Sequence, residues 1–240
     1  MDWPIIGNWR DLPTNAKGAQ PSLERVRDVA LALQKISLTK QVKEEISALR
    51  RDILGHYMFP PGASPWIEIY WMPMALVSAI LDVKIEDLAA VTLAHEPVHG
   101  YTHLARDIDG INWKTNDFAQ SDREVVEGLA QFYTELVSEK LSSRFLGMQL
   151  AFERFLDLQS PPYKIHKSWM KNITHQLRET FRFSMITARS RGRIECQQWE
   201  ALLSETSKRL QYGVSPNKEG SSLKGIKTAH HPGENDGEND

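Results

Sequence analysis

The chain has 240 residues, of which 41% are hydrophobic and 25% charged, and its formal net charge is −2. This is room for one sizeable domain of ordinary globular balance, and the near-neutral charge argues against coating nucleic acid or an anionic membrane. The one cysteine, Cys196, excludes an intrachain disulfide and a thiolate metal cage, so any metal must be held by histidine and carboxylate.

Residues 1–20, with Trp3, Pro4, Trp9, Pro13 and Gly18, read as an irregular arm. The first residues lack the basic start and long apolar core of a signal peptide. No uninterrupted run of about 18 apolar residues offers a membrane span, so the expected location is cytoplasmic. Val26, Val29, Ala30, Leu33 and Ile36 form one apolar stripe; Val42, Ile46, Leu49 and Ile53 form the next. Their spacing predicts two helices within 21–55, broken near 37–39, with Gly55 as the stop. A proline-rich turn at 60–65 leads into 66–71, whose aromatic and β-branched residues predict a strand. Pro73 then opens a short helix to about Leu81, residues 82–84 turn, and a helix begins near Ile85, although Lys84 is a poor N-cap. Residues 106–117 read as loop, with Asp107 and Asp109 as turn formers before Gly110. Helices are predicted over 122–146, 148–157, 166–190 and 195–211, the last two parted by Gly192. From Gly213 the chain is polar and ends on a Gly-Glu-Asn-Asp repeat, which predicts disorder. The expected organisation is an arm (1–20), one domain (21–212) and a tail (213–240).

The helix starting near Ile85 carries His95-Glu96-Pro97-Val98-His99. Histidines at i and i+4 lie on one helix face a turn apart, so both rings can reach one metal ion. The glutamate between them projects sideways, where it can take the proton of an attacking water. Pro97 is the irregularity. It lacks the amide that would bond to the Leu93 carbonyl, which costs about 3 kcal/mol in a regular helix interior.

A catalytic zinc usually takes three protein ligands. His103 continues the i+4 series, but an unbroken helix places it about 12 Å along the axis from His95. Bonds of about 2 Å cannot span that unless the helix breaks, for instance at Gly100. Glu127, near the start of the next long helix, is the better third candidate, and Gly128 beside it leaves room for the motif helix to approach.

HExxH followed by a helix bearing Glu127-Gly-Leu-Ala-Gln-Phe132 resembles the gluzincin zinc metallopeptidases, over roughly residues 66–135. The resemblance implies an α+β, predominantly helical, zincin-like fold with a small β-sheet and an HExxH active-site helix. It implies one Zn2+ ion held by His95, His99 and Glu127, with Glu96 as general base and a peptide or protein as substrate. It also implies that the strand at 66–71 pairs with extended substrate. Gluzincins related to thermolysin place an aspartate four residues after the ligand glutamate to orient a ligand histidine; Gln131 stands there, and its amide oxygen can still accept a hydrogen bond. The metzincin pattern is not met, because Thr102 and Ala105 stand where it needs glycine and histidine.

A hydrolase of this kind also needs a donor for the developing oxyanion. Tyr163 and His166, between predicted helices, are the candidates, with Arg182 and Arg189 as alternatives. Phe132, Tyr133 and Leu136 are expected to pack the ligand helix. The alternative function is a catalytically inactive zinc-binding zincin-like protein, a binding or regulatory module in which Pro97 marks the loss of activity. A di-iron helix bundle would need a second Glu-x-x-His unit, and the chain has none. No nucleic acid or membrane partner is expected.

Overall fold

The computed structural model describes Arg27, Asp28, Leu31, Ala32 and residues 54–213 apart from 61, 106–109 and 174. The expectations for the arm, for most of 21–53, for Asp107 and Asp109, and for the tail after Gly213 lie outside the described residues.

Strand β1, Gly55–Met58, pairs antiparallel with β2, Trp66–Ile69; Gly55 stands opposite Ile69 and Met58 opposite Trp66. Gly55 therefore opens a strand, and the helix it was expected to stop lies outside the described residues. Its missing side chain is what lets the hairpin sit down on the motif helix. A Cβ there would lie 2.9 Å from Thr92 Cγ2 and 3.0 Å from Glu96 Cγ, closer than packed carbons allow. Strand β2 is shorter than the sequence suggests, because Trp71 already belongs to helix α1, Trp71–Leu81. Pro73 is its third residue, and the first turn of a helix needs no amide donors, so the proline forfeits nothing there.

Helix α2 follows at Ile85–Leu104, then α3 at Thr115–Gln120 and α4 at Arg123–Leu141. Part of the expected 106–117 loop is thus helical, and α4 stops five residues short of expectation in a run of turns. Beyond it lie α5 (Met148–Leu158), α6 (Pro161–Lys164), α7 (His166–Asn172), α8 (Leu177–Arg191) and α9 (Cys196–Gln211). The single helix expected over 166–190 is two. Ile173 is extended at φ −112°, and Gln176 takes a left-handed φ of 49°. The described chain is predominantly helical with one small antiparallel sheet, an α+β arrangement. No described helix is long and apolar enough to cross a membrane.

Helices α2 and α4 lie against each other over much of their length. Apolar side chains gather on either side of that pair. One cluster joins α1, the first half of α2 and α5 through Met74, Val77, Leu88, Val91, Met148 and Phe152. The other joins α3, α4 and α7–α9 through Phe118, Leu129, Phe132, Phe181 and Trp199. Phe132 stacks on Phe181 with ring centroids 3.6 Å apart, while Tyr133 and Leu136 are half-buried at the edge of that cluster.

Pro97 lies inside α2 without ending it. It is exposed, and so is Leu93, at 53%, whereas His95, Glu96, Val98 and His99 are buried. The carbonyl that loses its amide partner therefore faces water, which can replace the missing bond.

Candidate metal centre

The buried faces of α2 and α4 bring His95, His99 and Glu127 together. Val125, Leu129 and Phe132 commit α4 to the second apolar cluster, and that rotation aims Glu127 at the two imidazoles. His95 Nε2 and His99 Nε2 are 3.2 Å apart, and Glu127 Oε2 lies 3.4 and 3.5 Å from them. Ligand atoms bonded to one ion at about 2.0–2.1 Å in a tetrahedron stand about 3.3–3.4 Å apart, so the triangle has the edge length that such an ion requires. The three side chains are 7–9% exposed.

Glu127 Oε2 is buried without a hydrogen-bond partner among the described residues. An orphaned carboxylate oxygen is costly in a protein interior, and a cation shared with two imidazole nitrogens satisfies it. Burial alone raises the Glu127 pKa, but the two imidazoles, His99 foremost, outweigh it and hold the carboxyl well below the usual carboxylate range. The group is thus an anionic oxygen and two nitrogens with the spacing, burial and charge of a ligand set. It could hold a metal ion.

Compared with known proteins, the chain matches no protein-family model, no curated protein and no solved structure. Its site must be read from its own side chains.

Thr134 lies seven residues after Glu127, on the same face of α4. Its hydroxyl donates to the Ala130 carbonyl at 2.7 Å and presents its lone pairs to His95 Nδ1 at 3.5 Å. A proton on Nδ1 suits that arrangement and leaves the Nε2 lone pair facing the trio. Gln131 does not orient a histidine. Its Nε2 donates to Gln159 Oε1 at 2.8 Å. Gly128 gives close approach, and its nearest neighbours lie on and just before α7. A Cβ there would meet Trp169 Cη2 and Cζ3 at 2.5 Å and Ile165 Cγ2 at 2.7 Å, so the glycine admits α7 and the residue before it.

His103 stays apart from the trio because α2 runs unbroken through Gly100. Its Nδ1 pairs with the Tyr57 hydroxyl and its Nε2 with Thr115 Oγ1, each at 3.1 Å, and its ring stacks on Phe118. Burial pushes its pKa down. Glu96 is 2% exposed and packs against β1 at Gly55. The strand that meets the motif helix at Glu96 is β1, and the 66–71 segment, to which the resemblance assigned substrate pairing, supplies its antiparallel partner β2.

Tyr163 stands beside the trio, its ring centroid 6.1 Å from that of His95, and its hydroxyl accepts a hydrogen bond from Arg123 Nη2 at 2.8 Å. The structure does not bring His166 there. One ring nitrogen bonds to the Tyr163 carbonyl at 2.9 Å and the other to Glu135 Oε2 at 3.1 Å. Arg189 is committed elsewhere as well, donating to the Thr102 and Tyr101 carbonyls at the C-terminal end of α2. Arg182 is half-buried on α8.

Arg123 and Thr134 are the site-side residues that motif reading overlooked. Both follow from Glu127 by helix spacing, four residues before it and seven after, which places them on its face. A cavity of about 570 Å³ opens at the N-terminal end of α2, lined by Arg27, Leu31, Lys84 and Phe145 among others, and none of its lining residues belongs to the trio.

Proposed function

We propose that the chain is a zinc-dependent peptidase of gluzincin type, with His95, His99 and Glu127 as metal ligands in a zincin-like fold. The observation that supports this most is the triangle of 3.2, 3.4 and 3.5 Å between three buried ligand atoms, one of them a carboxylate oxygen otherwise unsatisfied. Two imidazoles and one carboxylate without thiolate suit zinc. Zinc so bound supplies Lewis acidity toward a peptide carbonyl and acidifies water.

The chain's own residues supply the proton chemistry. Glu96, adjacent to a ligand histidine, takes the proton from the attacking water on its carboxylate and passes it to the leaving amine. Tyr163 accepts Arg123's N–H on its phenolic oxygen and can still donate its own proton to the developing oxyanion. Thr134 holds the His95 ring in the tautomer that a ligand needs.

A Glu96→Gln protein that keeps one zinc per chain should lose peptide cleavage by about 10²–10⁴-fold. Undiminished cleavage by that variant removes Glu96 from this role. A second reading, a metal-stabilised binding module without catalysis, draws support from the depth of Glu96, 2% exposed and packed against β1. Stoichiometric zinc with no turnover across a broad peptide library would select it.

A further inference from the structure

The cavity at the N-terminal end of α2 holds a charge that the fold leaves unanswered. Its volume of about 570 Å³ lies within the range of small-molecule pockets, about 300–1,000 Å³. Asp87, the third residue of α2, lines this cavity and is only 8% exposed. Its carboxylate makes no hydrogen bond or ion pair among the described residues. The chain is shaped to seat it. A Cβ at Gly147, the residue before α5, would overlap Asp87 Oδ2, so glycine alone fits there. The dipole of α2 favours a negative charge in its first turn but gives this carboxylate no donor. A buried carboxylate without a donor is costly. Its neighbour Glu86 is answered, since Arg27 Nε donates to Glu86 Oε1 at 2.7 Å.

The rest of the lining divides by chemistry. Leu31, Val83, Ile85, Phe145 and Leu146 form an apolar wall, and Lys84 and Arg144 add two exposed cations. A metal ion is not the missing counter-charge, because the trio is the one group of three or more described residues with metal-ligating spacing. That leaves an organic ammonium. We propose that this cavity binds a small zwitterion with an apolar body. Its ammonium meets Asp87, its carboxylate faces Lys84 and Arg144, and its apolar part lies against Leu31, Phe145 and Leu146. A simple anion would leave Asp87 without a donor and bring like charge to it. A simple amine would leave the two cations unused. Two sources share the required chemistry: a free apolar amino acid, and a short apolar peptide with both termini free. The site does not depend on the peptidase reading. Asp87 precedes His95 by eight residues on α2, about 12 Å along the helix axis.

The probes are L-leucine and leucyl-leucine, each also in N-acetylated and in C-terminal amide form. Calorimetry measures their binding to the full chain with a chelator present, so that no metal at the trio contributes. At least one of the two free compounds should bind saturably, and the tighter of them identifies the source. Its acetylated form, which lacks the ammonium, should bind about ten-fold or more weakly. Its amide should lose only about two- to five-fold, because Lys84 and Arg144 are exposed. Asp87→Asn keeps the shape and removes the charge, and should bring free and acetylated forms to within about two-fold of each other. If that variant does not fold, Lys84→Gln with Arg144→Gln carries the test by erasing the preference for acid over amide. Absence of saturable binding overturns the proposal. Equal affinity for free and acetylated forms does so too, as does a ratio that survives Asp87→Asn. Binding that appears only when zinc replaces the chelator assigns the ligand to the trio, which overturns this site and leaves the metal reading in place.

Discussion

Thr134 shows how one hydroxyl can decide the quality of a ligand. With its proton directed at Ala130, it offers His95 Nδ1 only an acceptor, and the imidazole's other nitrogen is then free to bind a cation. Thr134→Val keeps the shape and removes the acceptor. Zinc affinity, read by competition with a chromophoric chelator, should fall by about 10–100-fold while the fold persists. Glu135 illustrates a different use of charge, away from the trio. Burial raises its carboxyl, but hydrogen bonds and charge from His166 and Lys167 outweigh that and hold it below its ordinary 4.5. A carboxyl depressed in the folded state contributes stability that is present above its unfolded value and lost as pH falls through the folded one. Glu135→Gln should therefore be less stable by about 1–3 kcal/mol at pH 7, and its deficit should shrink below about pH 4.5. Urea midpoints at the two pH values check both statements. Of these residues, Glu127 was legible in the sequence because a motif names it. Arg123, Thr134 and Glu135 were not, since what gives them meaning is the partner that packing brings, and only a helix-face argument from Glu127 reaches the first two.

Helix α2 tolerates a proline in its middle because the damage falls on the side facing water. If that is the reason, restoring the amide should help. Pro97→Ala should raise stability by about 1–2 kcal/mol, the helix-interior gain less the extra freedom of the unfolded chain, with zinc affinity unchanged. A lower urea midpoint for that variant would mean that the proline shapes α2 in a way the native packing needs. Helix α2 was readable from its apolar run over 88–94, and α4 and α9 from the apolar residues of the face each buries. Three boundaries were not. Strand β1 begins with a glycine whose role is close approach to Glu96, and a glycine after an apolar stripe looks the same as a helix stop. Trp71 has strand-like composition but starts a helix, since Pro73 falls where a helix needs no donor. The break between α7 and α8 is carried by Gln176 in a left-handed conformation, with neither glycine nor proline to announce it.

Across the whole molecule, the trio bridges α2 and α4, the pair of helices flanked by the two apolar clusters. A metal there would tie together two helices that already meet through packing and through the Thr134–His95 and Glu127–histidine contacts. A metal that binds only the folded chain would stabilise it in proportion to the logarithm of its concentration: about 2.7 kcal/mol at a free concentration one hundred times Kd. Chelation should thus lower Tm by about 5–10 °C, and His99→Ala should abolish the difference between zinc-loaded and chelated samples in a calorimetric scan. The same burial has a consequence for rates. With ligand side chains 7–9% exposed, a metal held there would be open only on the side a substrate would use, and complete release would need α2 and α4 to part locally. Release is then timed by that opening and becomes independent of chelator concentration once chelation outruns reclosing. An ion taken up during folding would then be kept by the clock of the fold.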